Sequence, residues 1–318
     1  GQPPSPQGGG ERRYFLLAKA SFRLPMSFSS GAVSRVSTGS TVRKFLSRLL
    51  IFVVSVIVVI WIAFPFYWAF LNSIKPAVDT FGGKWIPWVQ FEPQLGTWLR
   101  VWDIREGRRG LMTSATIGLG GATLATVLGV PAAYAIARFR FGNTGNMFLT
   151  NWFLSQRIMP AVISPPPIFI LARALGLLDT VLALVLLAGT FNTPFVVLIM
   201  SQMFRDVPFE LEESAQVDGA SRWEIFRRIA LPLVAPGVVA SWLIVLAFSW
   251  NEVFFALVLA SKDAIPLTMY IVGLSGTRGV DFPAASTMTL LMITPPTIIA
   301  LTCQRFIVRG LSVGAVKG

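Results

Sequence analysis

The chain has 318 residues, of which 54% are hydrophobic and 13% charged, and its mean hydropathy of +0.66 is typical of a membrane protein. Its 27 lysines and arginines against 15 acidic residues leave long stretches without charge, which excludes the evenly basic surface of a nucleic-acid-binding protein. The absence of histidine excludes imidazole-based catalytic triads, and the single cysteine excludes disulfide frameworks and thiolate metal sites. These exclusions favour a protein that moves or binds a solute, with no catalytic residues and no metal site.

The first 42 residues begin with a stretch rich in Gly, Pro, Ser and Gln and then scatter basic residues among polar ones. A segment of this composition buries too little apolar surface to fold. We therefore predict a disordered basic arm over residues 1–42 and a transmembrane domain over residues 43–318.

Gaps between ionisable residues predict where the chain crosses the membrane, because a charge at the bilayer centre is costly. Four gaps exceed the roughly 20 residues that a helix needs to cross the hydrocarbon core. Two more apolar stretches carry one charge each, Arg157 and Glu252. The predicted fold class is an all-α integral membrane protein with six transmembrane helices, at about 49–72, 112–137, 147–172, 180–203, 234–260 and 283–305.

The distribution of lysine and arginine predicts the orientation of these helices. Segments on the side of the two termini hold 17 basic residues, and segments on the opposite side hold nine. Cytoplasmic loops of membrane proteins carry the excess of basic residues. We therefore expect both termini to be cytoplasmic.

Residues 205–233 differ from the sequence around them because they are both charged and periodic. Pro208 and the acidic residues at 210–213 predict the start of a short helix. The sequence Asp218-Gly219-Ala220 predicts a turn, because glycine adopts positive φ without steric cost. The segment is therefore expected to be a helix, a turn and a second helix on the cytoplasmic side.

The second helix is predicted to begin at a capping box made by Ser221 and Glu224. Ile225, Phe226 and Ile229 then place an apolar patch on one face of that helix. Two interpretations of this patch stay open at this point: the helix lies on the membrane surface, or it docks a cytoplasmic partner.

One pattern runs through this segment at fixed spacing: Glu213-Ser214-Ala215-x-x-Asp218-Gly219-Ala220, then Phe226, Ile229, Leu231-Pro232-Leu233 and Pro236. It resembles the EAA loop of the membrane subunits of binding-protein-dependent ABC importers. Ser214 departs from the family pattern, which has alanine there. The resemblance implies that the loop couples to an ATPase through Glu213, Ala215, Asp218, Gly219, Ala220, Phe226, Ile229, Leu231 and Pro232.

Further stretches are similar to the carbohydrate-importer branch of this family, whose type is the maltose permease subunit MalG. They are Arg157-Ile158-Met159-Pro160, Leu175 to Thr180, Trp250-Asn251-Glu252, and the ending from Gly310 to Gly318. The likeness covers about residue 43 to the end. Three successive prolines, Pro165-Pro166-Pro167, depart from the single proline expected in the third helix.

This resemblance implies an assembly with a second, MalF-like permease subunit, two cytoplasmic ATPase subunits and an extracytoplasmic substrate-binding protein. The assembly is expected to lie in the lipid of the bacterial inner membrane and to bind no nucleic acid. It also implies that this chain binds no cofactor and that ATP with its Mg²⁺ is bound by the ATPase subunits. The sequence agrees, because it lacks the GxxxxGK[ST] loop that cradles phosphates. The expected function is the permease half of an ATP-driven importer for a sugar or oligosaccharide.

Charged, amide and indole side chains within the predicted helices are candidates for the substrate pathway: Arg157, Asn192, Trp250, Asn251 and Glu252. Intramembrane charges face a protein interior or a wet cavity, and amides and carboxylates match sugar hydroxyls. A structural role, either an Arg157–Glu252 ion pair or snorkelling of Arg157 to the headgroups, is an equal alternative. The competing function is a self-sufficient secondary transporter or channel, which would need its own ion coupling.

Overall fold

The computed structural model describes residues 38–159, 163–276 and 279–312, and it is nearly all helical. The predicted arm therefore lies outside the described residues except for its last five, which belong to the first helix. In chain order the helices are α1 (Thr38–Ile74), α2 (Gly96–Asp103), α3 (Arg105–Arg138), α4 (Gly145–Ile158), α5 (Pro165–Ala174), α6 (Val181–Asp206), α7 (Glu210–Val217), α8 (Arg222–Ile225), α9 (Leu231–Leu233), α10 (Ala235–Trp250), α11 (Phe254–Leu259), α12 (Leu267–Gly273) and α13 (Phe282–Ser312).

The described residues also form four short elements. Residues Ala77–Asp79 form a 3₁₀ turn after α1, and residues Phe226–Ala230 form a π-helical turn between α8 and α9. The strands β1 (Ser275–Gly276) and β2 (Gly279–Val280) pair antiparallel. The chain divides into two compact units, residues 1–58 and 59–318, and α1 contributes residues to each. All of the features discussed below lie in the second unit.

Within the described residues, five helical segments are long and apolar enough to cross a membrane. They are Lys44–Ile74, Glu106–Arg138, Val181–Asp206, Ala235–Leu259 and Phe282–Phe306. Each of them covers most of one predicted transmembrane helix. The segment Ala235–Leu259 contains a break at residues 251–253, because α10 ends at Trp250 and α11 begins at Phe254.

The prediction of one continuous helix over residues 147–172 is wrong. The structure has two shorter helices there, α4 with 14 residues and α5 with 10. Proline has no backbone N–H and fits only the first turn of a helix without breaking its hydrogen bonds. α4 ends at Ile158, and the next residue, Met159, is extended, as is usual for a residue that precedes a proline, here Pro160. Pro165 then takes the first position of α5.

Close packing of α3 against α6 forms the centre of the second unit. A side chain at Gly121 would place its Cβ 2.8 Å from Cβ of Ala188, and one at Gly189 would place it 2.6 Å from Cδ2 of Leu124. Small residues let transmembrane helices approach at backbone distance, where dispersion contacts are dense. The two helices therefore form a closely packed pair, and α10, α12 and α13 pack against it.

The buried core extends from this pair to the segment between α6 and α10. Phe204 of α6, Phe226 of the π-helical turn and Val234 belong to the same apolar cluster as Leu246 and Trp250 of α10. The loop segment is thus packed onto the ends of the long helices and is not a separate appendage.

At the other end of α6, Asp179 ties two loops together. Its carboxylate accepts hydrogen bonds from the backbone N–H groups of residues 261–264 at 2.9–3.1 Å. Burial alone would raise the pKa of Asp179, but these four backbone donors stabilise the charged form and hold the pKa well below its ordinary value. The loop after α11 is therefore fixed to the start of α6.

Candidate functional site

The segment 205–233 has the predicted helix, turn and helix, and its turn is closed by backbone hydrogen bonds. The N–H of Gly219 donates to the carbonyl of Gln216, and the N–H of Ala220 donates to the carbonyl of Ala215, both at 3.0 Å. This pair of bonds is the Schellman motif that ends many helices at a glycine. Gly219 has φ of +87°, and a Cβ built there would meet no atom within 4 Å. The position therefore requires glycine for its backbone conformation and not for space.

The second helix of the segment starts at the predicted capping box. The backbone N–H of Glu224 donates to Oγ of Ser221 at 3.3 Å, and the backbone N–H of Ser221 donates to Oε2 of Glu224 at 3.0 Å. The hydroxyl of Ser221 also donates to Glu224 Oε2, and the two hydrogen bonds that the carboxylate accepts from Ser221 lower the pKa of Glu224. The turn is thus fixed on both sides, by the Schellman motif at the end of α7 and by the capping box at the start of α8.

A buried network joins the segment to the end of α3. Arg138 Nε donates to Glu212 Oε1 at 2.7 Å, and the hydroxyl of Tyr134 donates to Glu212 Oε2 at 2.8 Å. Arg138 also donates from Nη2 to the carbonyl of Val207 at 3.0 Å. The side chain of Glu212 is fully buried, and that of Arg138 is 6% exposed. We call Tyr134, Arg138 and Glu212 the buried clamp.

The apolar patch of the second helix faces inward. Ile225 and Phe226 are buried, and Ile229 is half-buried. The ring of Phe226 packs against Tyr134 of the buried clamp, with centroids 4.9 Å apart, and against Trp223 at 5.3 Å. Burying these side chains against the ends of α3 and α6 removes apolar surface from water, so the patch contributes to the fold of this chain itself.

The turn and the polar residues remain on the surface of the segment. Glu213, Asp218, Gly219 and Pro232 are exposed, whereas Ala215, Ala220 and Leu231 are half-buried. A depression of about 270 Å³ lies beside the turn, and its lining residues are Asp218, Gly219, Ala220, Glu224, Ile225, Arg228 and Ile229. The surface available to another protein therefore combines the charged residues around the turn with exposed apolar side chains, among them Val217 and Trp223.

The two charges of the predicted helices do not pair with each other. Arg157 of α4 donates from Nη1 to the carbonyl of Phe191 at 3.1 Å, and its guanidinium carbon lies 3.6 Å from the centroid of the Phe195 ring. Glu252 accepts a hydrogen bond at Oε1 from the backbone N–H of Phe255 at 2.8 Å, so it caps the start of α11. The ion pairs of the described chain do not include either residue.

The other candidate pathway residues divide into buried and exposed positions. Asn192 is buried and donates to the carbonyl of Ala188 at 2.8 Å, and Trp250 is buried and donates from Nε1 to the carbonyl of Met292 at 2.9 Å. Asn251 is exposed and ends α10 by donating to the carbonyl of Ala247 at 2.9 Å. Asn251 is therefore available to a solute, whereas Asn192 and Trp250 join helices within the fold.

Sequence reasoning did not identify the buried clamp. Arg138 marked only the end of a charge-free gap, and Glu212 was one of several acidic residues at the start of a helix. The available signal was spacing: Tyr134 and Arg138 lie four residues apart, on one face of α3, where an acidic partner from the loop can reach both.

Among the described residues, no group of three or more His, Cys, Asp or Glu is placed to hold a metal ion.

Sequence comparisons relate the chain to transport proteins. Residues 125–313 match the family described as binding-protein-dependent transport system inner membrane component. Over 270 residues the chain is 37% identical to the trehalose transport system permease protein SugB of Mycobacterium tuberculosis (strain CDC 1551 / Oshkosh), covering 84% of this chain and 96% of that protein. It is 28% identical to the diacetylchitobiose uptake system permease protein DasC of Streptomyces coelicolor, covering 87% of this chain and 99% of that protein.

Solved structures share the fold. A chain in the crystal structure of a bacterial ABC transporter involved in the import of the acidic polysaccharide alginate matches with a TM-score of 0.67 and 20% identity, covering 85% of this chain and 98% of that chain. A chain of the inward-facing MetNI methionine ABC transporter matches with a TM-score of 0.52 and 18% identity, covering 64% of this chain and 95% of that chain. The helical arrangement described above is therefore one that ABC transporters use.

Proposed function

The chain belongs to the family of binding-protein-dependent transport system inner membrane components, and from this premise we propose that it is one permease subunit of an ATP-driven sugar importer. The observation that carries the proposal is the 37% identity to a trehalose permease over 84% of the chain. A second permease subunit, two ATPase subunits and an extracytoplasmic binding protein would complete the importer. The chain itself would hydrolyse nothing, and ATP with Mg²⁺ would be bound by the ATPase subunits.

We also propose that the chain crosses the membrane six times, with both termini in the cytoplasm. In this topology α4 and α5 together make the third crossing, and their break lies at membrane depth. Broken helices are tolerated there when the freed backbone groups are buried in protein or line a wet cavity. The excess of basic residues on the side of the termini supports the orientation.

The segment 205–233 is proposed as the EAA loop through which the ATPase subunits act. Its exposed turn at Asp218–Gly219 and the depression beside it offer a small, preformed surface for docking. The buried clamp would transmit a displacement of that surface to α3, because Glu212 and Arg138 cannot separate without leaving a charge unpaired inside the protein. ATP binding and hydrolysis would then shift the population between inward-facing and outward-facing states.

Copurification and uptake test this proposal together. A tagged copy of the chain, extracted from its own bacterium in mild detergent, is expected to bring down an ATPase subunit and a second permease subunit. Cells that lack the chain are expected to lose uptake of at least one labelled sugar from a panel that includes trehalose and diacetylchitobiose. A chain that purifies alone and supports transport alone would contradict the proposal and favour a secondary transporter.

A further inference from the structure

A cavity lies where the chain after α1, the helix α2 and the start of α13 meet. Its volume is about 430 Å³, which falls within the roughly 300–1,000 Å³ of small-molecule sites. We call it the α1–α13 cavity. Its lining includes two cations, a carboxylate, two hydroxyl groups and an exposed aromatic ring, which belong to Lys75, Arg100, Asp281, Thr80, Thr97 and Phe81.

Lys75 is the first residue after α1, and its ammonium group is buried. The residue is 1% exposed, and its Nζ, like Oγ1 of the buried Thr80, forms no hydrogen bond to a described residue. Nζ lies 5.0 Å from the centroid of the Trp68 ring and 5.6 Å from that of Phe91. Ring faces attract a cation, but they do not replace the oxygen acceptors of its three N–H groups. A buried ammonium is costly unless such an acceptor reaches it.

The carboxylates close to Lys75 in the fold already pair with other cations. Asp79 pairs with Lys84 at 2.6 Å, and Asp281 pairs with Arg100 at 3.1 Å. The lining of the α1–α13 cavity therefore holds two cations and one carboxylate, an excess of one positive charge. A ligand that completes this lining is an anion whose oxygens accept several charge-assisted hydrogen bonds.

The α1–α13 cavity lies at the level where two apolar helical segments end. The segment Lys44–Ile74 ends one residue before Lys75, and the segment Phe282–Phe306 begins one residue after Asp281. The polar headgroup layer of a bilayer begins where its apolar core ends. Tryptophans are enriched at that level, and the chain between α1 and α3 exposes three of them, Trp85, Trp88 and Trp102. Phosphate is the anion that a phospholipid presents at this depth.

We propose that the α1–α13 cavity binds a phosphate group and that a phospholipid headgroup supplies it. The ammonium of Lys75 and the hydroxyl of Thr80 would donate to phosphate oxygens, and Arg100 would share its donors between Asp281 and the phosphate. Phe81 lines the cavity and is 84% exposed, so its ring offers an apolar contact to the rest of the lipid. Free inorganic phosphate has the same acceptor chemistry, and titration with separate probes distinguishes the two sources.

The test measures lipid binding to the purified full chain, with the subunits that copurify, after delipidation in detergent. Native mass spectrometry follows titrations with phosphatidylglycerol, with diacylglycerol, which lacks the phosphate, and with inorganic phosphate. The wild type is expected to bind its first phosphatidylglycerol at least roughly tenfold more tightly than diacylglycerol. Millimolar inorganic phosphate is expected to leave that lipid bound. Displacement by inorganic phosphate would overturn the assignment to lipid.

Substitutions in the lining identify the site. Lys75→Met is expected to weaken binding of the first phosphatidylglycerol about tenfold or more, because the phosphate loses a buried charged donor. Arg100→Gln and Thr80→Val are each expected to weaken it about threefold, since Arg100 is exposed and shared with Asp281 and Thr80 offers one neutral donor. Lys262→Met is the matched control, because Lys262 is an exposed lysine outside the lining. Its lipid affinity should equal that of the wild type.

The midpoint of thermal unfolding separates a ligand site from a structural lysine. Without added lipid, Lys75→Met is expected to unfold at or above the wild-type midpoint, because it removes an unpaired buried charge. Added phosphatidylglycerol should raise the midpoint of the wild type and of Lys262→Met but not that of Lys75→Met. A lower midpoint for Lys75→Met with unchanged lipid affinity would show that its ring contacts are structural, and this would overturn the inference.

Two outcomes remain to be distinguished. If Lys75→Met yields no folded protein, Arg100→Gln and Thr80→Val decide the question, and wild-type lipid affinity in both overturns the inference. If the variants bind lipid normally but bind the extracytoplasmic binding protein more weakly, the α1–α13 cavity receives a protein carboxylate, and the inference is also overturned.

Discussion

Arg138 Nε lies 2.7 Å from Glu212 Oε1, and neither side chain is more than 6% exposed. Arg138 is the last residue of α3, and Glu212 lies in the first turns of α7, so this ion pair joins a long membrane helix to the segment 205–233. A buried pair of this kind holds its two elements in one register, because separation would leave a charge without a partner. The pair therefore fixes the start of α7 to the end of α3.

Glu212→Ala is expected to destabilise the chain by about 3–5 kcal/mol, because it leaves Arg138 buried and unpaired. The midpoint of thermal unfolding in detergent should fall, and uptake should fall with it. Glu210→Gln is the matched control, since Glu210 is an exposed carboxylate of the same helix, and its midpoint should not change. A midpoint for Glu212→Ala equal to that of the wild type would show that the buried clamp contributes nothing to stability.

The combination of Glu212→Leu with Arg138→Met removes both charges of the clamp. This double variant is expected to recover most of the lost stability, because no buried charge stays unpaired. Uptake should stay low if the clamp transmits movement, and it should return with stability if the clamp is only structural.

Gly219→Val is expected to abolish uptake while the protein still inserts into the membrane. The residue has φ of +87°, where a β-branched side chain costs at least roughly 1–2 kcal/mol and distorts the turn. Gly219→Asn should retain partial uptake, because asparagine tolerates this conformation better than other residues with a side chain. Gly219→Asp adds a charge at the docking surface and should abolish uptake. Uptake and membrane abundance must be measured together, and normal values of both for Gly219→Val and Gly219→Asp would exclude a docking role of the turn.

Asp179→Ala is expected to destabilise the protein at neutral pH by roughly 1–3 kcal/mol, because four backbone N–H groups lose a charged acceptor. The backbone donors depress the pKa of Asp179 in the folded state, so its stabilising effect is fully present above the ordinary pKa near 4. The effect is lost as the pH falls from that value toward the depressed pKa. The difference in unfolding midpoint between wild type and variant should therefore be constant from pH 7 to about 5 and shrink below pH 4.

Asp103→Ala serves as the control for this pH dependence, because Asp103 is an exposed carboxylate at the end of α2. Its unfolding midpoint should follow that of the wild type at every pH. A difference between wild type and Asp179→Ala that does not depend on pH would show that the carboxylate charge is not what fixes the loop.

Asn251→Ala and Asn192→Ala are expected to separate a solute contact from a structural one. Asn192 is buried and bonded to Ala188, so its truncation should cost about 1–3 kcal/mol of stability and lower membrane abundance. Asn251 is exposed, so its truncation should leave the unfolding midpoint unchanged and alter the uptake rate. Unchanged uptake by Asn251→Ala at wild-type abundance would remove Asn251 from the pathway.

The sequence predicted the positions of five long apolar helices correctly, because a charge at the bilayer centre is costly and charged residues are therefore absent from such segments. It could not predict the break between α4 and α5, because the residues on both sides of the break are similarly apolar. The position of the break depends on where the prolines lie relative to the start of a helix. The sequence also could not predict that Glu212 is buried while its neighbour Glu213 is exposed. The two glutamates differ in whether they contact Arg138, and that contact joins residues 74 positions apart.

The inward position of Phe226 shows the same limit. Its apolar character indicated a contact, but the partner rings, Tyr134 and Phe204, come from distant parts of the chain. Sequence alone predicted the turn at Gly219 and the capping box at Ser221 because those features depend only on neighbouring residues.

The most direct test of the central claim is solute accumulation by proteoliposomes that contain the purified complex, with the loaded binding protein on one side and ATP on the other. The account predicts uphill accumulation of the sugar that stops when the ATPase subunits are omitted or when ATP is replaced by a non-hydrolysable analogue. Uphill accumulation by this chain in vesicles without ATPase subunits would contradict the account.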